Sequence, residues 1–114
     1  MKLLPTQSKR ILLTLFWLWT LGIWIGSLMP MSGPSIENGD KIQHFIGYGV
    51  LALLAQLIWH QPRKIWLGAT LMGVAVEFAQ ALTPYRSFDT HDMLANSIGA
   101  VFGLLLACAW LKRQ

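Results

Sequence analysis

Asp40, His44 and Tyr48 recur at four-residue spacing, Glu77 and Gln80 at three, and Asp92, Asn96 and Gly99 at four and three. In helices each of these sets lies on one face, so three polar faces are available to meet at one site. Carboxylates there could move protons, a histidine could change charge near neutral pH, and Lys41 and Arg86 could hold an anion. With Asp89 beside Arg86, the candidate site residues are Asp40, Lys41, His44, Glu77, Gln80, Arg86, Asp89, Asp92 and Asn96. These residue types permit catalysis without specifying a reaction.

Several chemistries lack their signatures. Ser87, Asp89 and His91 are close in sequence, but a hydrolase triad is assembled by geometry rather than by proximity along the chain. No H-E-x-x-H or similar ligand spacing occurs, so no metal is expected, and no P-loop or dinucleotide fingerprint occurs, so no cofactor is expected.

The elements that must position these residues are apolar. The 114 residues are 54% hydrophobic and 12% charged, with a mean hydropathy of +0.49, whereas a soluble domain carries about 25% charged residues. That excludes a soluble globular protein. The net charge of +4 does not indicate a nucleic-acid partner, because the basic residues sit between apolar runs instead of on one polar face. Cys108 stands alone, which excludes an intrachain disulfide, and its apolar neighbours make it a small buried hydrophobe.

Apolar segments occupy about 11–29, 42–59, 65–83 and 93–111. The first has no charge over 19 residues, enough to cross a hydrocarbon core of roughly 30 Å. It is too long for a cleaved signal peptide and lacks an A-x-A-like site, so it is expected to be a retained signal anchor. The expected fold is all-α: an integral membrane four-helix bundle with short loops, one transmembrane domain over 11–111 after a cytoplasmic segment 1–10. Gly22/Gly26 and Gly99/Gly103 are G-x-x-x-G pairs that would let helix backbones approach closely.

Seven Lys/Arg (Lys2, Lys9, Arg10, Arg63, Lys64, Lys112, Arg113) fall on one side of this topology and two, Lys41 and Arg86, on the other. Positive residues favour the cytoplasm, so both termini are expected there, with loops 30–41 and 84–92 outside. Trp59, Trp66 and Trp110 then lie at cytoplasmic helix ends, as an interfacial belt would. Pro84 should stop the third helix. Every candidate polar residue lies toward the outer end, making an apolar cup with a polar mouth.

Glu77 is seven residues before Pro84, about 10 Å along the helix. An ionised carboxylate at that depth costs several kcal/mol, so it is expected to face the bundle and pair with Arg86, His44 or Lys41, or to protonate. Asp40 and Asp92 also suit helix N-cap positions. Asp40-x-x-x-His44-x-Ile46-Gly47 is similar to Asp92-x-x-x-Asn96-x-Ile98-Gly99, as in a two-helix duplication whose halves enter the membrane from the same side.

Asp40-Lys41-Ile42-Gln43-His44-Phe45-Ile46-Gly47-Tyr48-Gly49-Val50-Leu51 resembles the D-K-x-x-H-F-x-x-Y-x-x-L signature of VanZ-like membrane proteins. Glu77-x-x-Gln80, Arg86, Asp89 and Asp92-x-x-x-Asn96-x-x-Gly99 resemble the rest of that pattern, over roughly residues 37–106. The resemblance implies a small multi-pass protein of the bacterial cytoplasmic (inner) membrane, in a family named for low-level resistance to the glycopeptide teicoplanin, and supplies no reaction. Together these readings lead us to expect a bilayer protein whose outward-facing polar site binds or processes an anionic cell-envelope lipid. The alternative is a non-catalytic envelope or membrane-assembly factor whose polar cluster is structural. An ion carrier fits less well, because the cytoplasmic halves of the later helices offer only Gln56. Oligomeric state does not follow from the sequence.

Overall fold

The computed structural model describes residues 6–29, 39–84 and 90–113, without the side chains of Gly39 and Asp40. These form α1 (Thr6–Leu28), α2 (Gly39–Trp59), α3 (Pro62–Ala81) and α4 (Thr90–Lys112), with no strand among the described residues. Three of the helices, α1, α2 and α4, are long and apolar enough to cross a membrane. The 20-residue α3 is less apolar because Lys64, Glu77 and Gln80 lie within it. Glu77 and Gln80 are buried in the bundle, while Leu67, Leu71 and Phe78 are exposed, so the outward surface of α3 is still suited to lipid.

Each helix begins before its apolar run, at Thr6, Gly39, Pro62 and Thr90, because a backbone ladder can continue through polar flanks. Pro62 opens α3, where its missing N–H costs nothing. That helix ends at Ala81, short of residue 83. The N–H groups of Leu82 and Thr83 bond back to Ala79 and Gln80, and a residue preceding proline is pushed out of the helical region.

α2 and α4 run side by side in the same direction. Lys41 lies near Asp92 where both helices begin, and the Gln56 amide donates to Cys108 Sγ at 3.6 Å near their other ends. This seam is the largest interface in the fold. A Cβ at Gly99 would collide with the Phe45 carbonyl, and one at Gly103 with the Gly49 carbonyl, so only glycine permits this backbone approach. Tyr48, Leu51, Ala52, Ala69, Ala100 and Leu104 form the small core beside it. Gln56 and Cys108 are 52 residues apart, the same shift that separates the two similar sequence segments. The likeness breaks at the glycines, since Gly99 packs on α2 while Gly47 faces α1, where an added Cβ would meet Ile23 at 3.7 Å.

α1 is attached at separate points rather than along a seam. Trp19 Nε1 donates to the Gly47 carbonyl at 2.8 Å, Phe16 meets Trp59 edge-on at 5.0 Å, and the Gln80 amide donates to the Ser27 carbonyl at 2.9 Å. A Cβ at Gly22 or Gly26 would meet nothing within 4 Å, so these glycines are not required for a close helix approach as expected of them. They line a cleft of about 540 Å³ between α1 and α2 instead.

Candidate functional site

The polar residues gather where α2 and α4 begin and α1 and α3 end. His44 points from the second turn of α2 and is 8% exposed, Asp92 from the first turn of α4 at 6%, and Glu77 from the last two turns of α3 at 0%. His44 Nε2 is 3.7 Å from one Asp92 carboxylate oxygen, and Lys41 Nζ is 3.8 Å from the other. The ligand-type atoms of His44, Glu77 and Asp92 all lie within 4.8 Å of one another. Lys41 is partly exposed at the rim. Three helices thus each contribute one buried titratable group to a common point, as the face argument anticipated.

Asp92 departs from its expected capping role. It is the third residue of α4, not the residue before it, and its carboxylate turns to Lys41 and His44 across the seam. Its position in the first turn still places a negative charge where the helix dipole favours one. Arg86 and Asp89 lie outside the described residues, as does the side chain of Asp40, whose backbone begins α2. Of the partners considered for Glu77, the described geometry brings His44 within reach.

One turn deeper lies a second layer. Tyr48 follows His44 on α2, Asn96 follows Asp92 on α4, and Gly73 precedes Glu77 on the oppositely directed α3. The Tyr48 ring stacks near His44, with centroids 6.3 Å apart and planes at 29°. A Cβ at Gly73 would come within 2.7 Å of Asn96 Nδ2, so the glycine makes room for the amide. Tyr48 and Asn96 are each 1% exposed. Neither the Tyr48 hydroxyl nor either polar atom of the Asn96 amide has a hydrogen-bond partner among the described residues.

Gln80 stands apart from this triad. It turns toward α1, where it holds Ser27 and closes the polar end of the cleft together with His44, Tyr48 and Gln43. The cleft continues along apolar Leu15, Leu18, Trp19 and Ile23. Sequence spacing placed Tyr48 on the His44 face but did not single it out, and it gave no sign of Ser27, whose contribution is a backbone carbonyl. Cys108 is half-buried and accepts from Gln56, a polar contact that its apolar sequence neighbours did not suggest.

The VanZ/LLP1 family profile matches residues 1–112. The chain belongs to the VanZ/LLP1 family. In this VanZ/LLP1 protein, His44 and Tyr48 of the first motif and Glu77, Asp92 and Asn96 of the second lie in the polar cluster and the layer beneath it. The Schizosaccharomyces pombe protein named Uncharacterized protein C11E3.10 is 29% identical over 85 residues, which cover 69% of this chain and 52% of that protein. The chain spans about half the length of this curated relative. No solved structure matches it. Family membership and three apolar spanning helices establish a membrane protein.

Proposed function

We propose that this VanZ/LLP1 protein binds an anionic lipid, with the chain in the α1–α2 cleft and the headgroup at the polar end. The observation that carries this reading is the two-part lining of the 540 Å³ cleft. Leu15, Leu18, Trp19 and Ile23 offer an apolar wall, while Gln43, His44, Tyr48 and Gln80 offer hydrogen-bonding groups at one end. Ligand sites of this size hold their occupant by apolar area and orient it with a few polar groups. Lys41 stands at the rim, His44 can donate when protonated, and Arg86, from the loop that follows α3, supplies the second cation in sequence.

The positive-residue asymmetry supports placing the polar end on the extracytoplasmic face, with both termini in the cytoplasm of a bacterial cell. Impermeant thiol labelling of intact cells, in a Cys108→Ala background, should then modify a cysteine at residue 36 and spare one at residue 62; the reverse pattern would remove the envelope-facing site.

Native mass spectrometry of the purified protein with phosphatidylglycerol and phosphatidylethanolamine vesicles tests binding. Wild type should retain the anionic lipid selectively, and Lys41→Ala and Arg86→Ala should lose that selectivity. A structural assembly role is favoured by one specific observation, that Gln80, Lys41 and His44 already make contacts within the protein. It predicts equal, indifferent lipid retention by all of these proteins.

A further inference from the structure

Two carboxylates and an imidazole from three helices meet at the buried polar end of the bundle. Glu77 and Asp92 bring two carboxylates into a site from which water is largely excluded, and Lys41 is a partly exposed cation at its edge. Buried carboxylates are accommodated by protonation, by pairing or by a metal ion. Here the residue types beside them are ligands: an imidazole nitrogen and two carboxylate oxygens, one from each of three helices.

We propose that His44, Glu77 and Asp92 bind one divalent transition-metal ion, zinc by preference, at the polar end of the bundle. The donor atoms are within 4.8 Å of one another, whereas tetrahedral ligands at the usual zinc distances stand about 3.4 Å apart. Side-chain adjustments on the order of an ångström close that difference. The 3.7 Å from His44 Nε2 to Asp92 is longer than a direct charge-assisted hydrogen bond, leaving the two facing a shared space. Imidazole with carboxylates suits zinc, iron or manganese, and the lack of a thiolate in the set argues against copper(I).

The layer beneath supplies independent support. Tyr48 and Asn96 are nine-tenths buried or more and have polar atoms without hydrogen-bond partners. Tyr48 lies one turn below His44 on α2, its ring stacked at 6.3 Å from the imidazole, and Asn96 lies one turn below Asp92 on α4, its amide beside Gly73 of α3. A buried hydroxyl and amide without hydrogen-bond partners among the described residues, in the layer next to a three-ligand set, can share a metal-bound water, because three protein ligands leave the fourth zinc position open. Metal binding here does not require that a lipid also binds.

Untagged protein in detergent, stripped with a chelator and re-equilibrated with zinc, should retain one zinc per chain by elemental analysis and melt at a higher temperature than the stripped form. His44→Gln and Asp92→Asn should abolish stoichiometric retention, Asn96→Leu should weaken affinity by about 10- to 100-fold, and Lys112→Ala, exposed at the far end of α4, should leave it unchanged. Cobalt(II) provides a readout on wild type itself: a visible absorption band of a nitrogen- and oxygen-ligated tetrahedral ion, displaced by zinc. A wild-type protein that retains no zinc and shows no such band, or His44→Gln and Asp92→Asn proteins that retain zinc fully, would overturn the assignment.

Discussion

The same four-residue glycine spacing occurs twice in this chain and does opposite things. On α4, Gly99 and Gly103 bring two backbones into contact along the α2 seam; on α1, a Cβ at Gly22 or Gly26 would meet nothing within 4 Å, and both line a cleft. The difference lies in what faces the glycines. Across the seam stand Phe45 and Gly49, whose carbonyls can approach a surface without Cβ atoms. Beside α1, Trp19, Ile23 and Phe16 act as spacers that hold the helix off α2 between its contact points. Close approach in a membrane needs bare backbone facing the glycines, and absence of side chains on one helix alone yields volume instead of contact.

Substitution with leucine should separate the two regions most sharply. Gly103→Leu would drive a side chain into the Gly49 carbonyl, and overpacking of this kind costs about 1–3 kcal/mol or more. Because backbone would have to move, the upper end is expected, with loss of the folded protein in detergent. Gly26→Leu should leave the melting temperature close to wild type and instead fill the cleft, reducing lipid retention. If both variants melt alike, the seam and the cleft are not distinct environments.

The next effect falls on the polar end that joins both regions. Glu77→Ala removes a fully buried carboxylate from the triad with His44 and Asp92. Removing one member of a buried charged set typically costs about 3–5 kcal/mol. Glu77→Gln keeps the volume and should cost less. Thermal unfolding of the two variants in the same detergent checks the order, and equal melting points for wild type and Glu77→Ala would show that Glu77 contributes nothing to holding α3 against the seam.

The helices and the convergence of polar faces were legible from the sequence because both rest on periodicity. Apolar length marks four segments, the last three broken only by a few polar residues, and spacing of three and four puts His44, Glu77, Asp92 and Asn96 on shared helix faces. What periodicity cannot carry is the identity of the neighbour. Gly22/Gly26 and Gly99/Gly103 read alike because the motif describes one helix and the outcome depends on two. The set of His44, Glu77 and Asp92 has no linear spacing signature, since each residue comes from a different helix. Asp92 read as a cap because local sequence shows its distance from a helix start and not the Lys41 and His44 side chains across the seam.

A smaller effect is expected where α1 is tied to α3. Gln80→Ala removes the donor to the Ser27 carbonyl, a buried contact between elements 53 residues apart. Leaving a buried acceptor unsatisfied costs about 1–3 kcal/mol. Because α1 meets the bundle only at separate points, the loss should appear as faster cysteine labelling at residue 22 with little change in protection along α4. Equal labelling in the two proteins would mean that the Ser27 contact does not hold the cleft.

The smallest effect should come from Trp19→Phe. The indole N–H donates to the Gly47 carbonyl at 2.8 Å, and Trp19 is partly exposed, so a released acceptor on α2 has more freedom to relax than Ser27 does. A single hydrogen bond contributes about 0.5–1.5 kcal/mol, and the lower end applies here because phenylalanine preserves much of the apolar wall. The variant should therefore melt slightly lower while retaining lipid nearly as well as wild type. Trp19→Ala removes the wall as well as the bond and should lose lipid more than stability. If Trp19→Phe and Trp19→Ala behave identically in both measurements, the hydrogen bond, rather than the bulk of the ring, sets the distance between α1 and α2, and the account of aromatic spacers in the cleft fails.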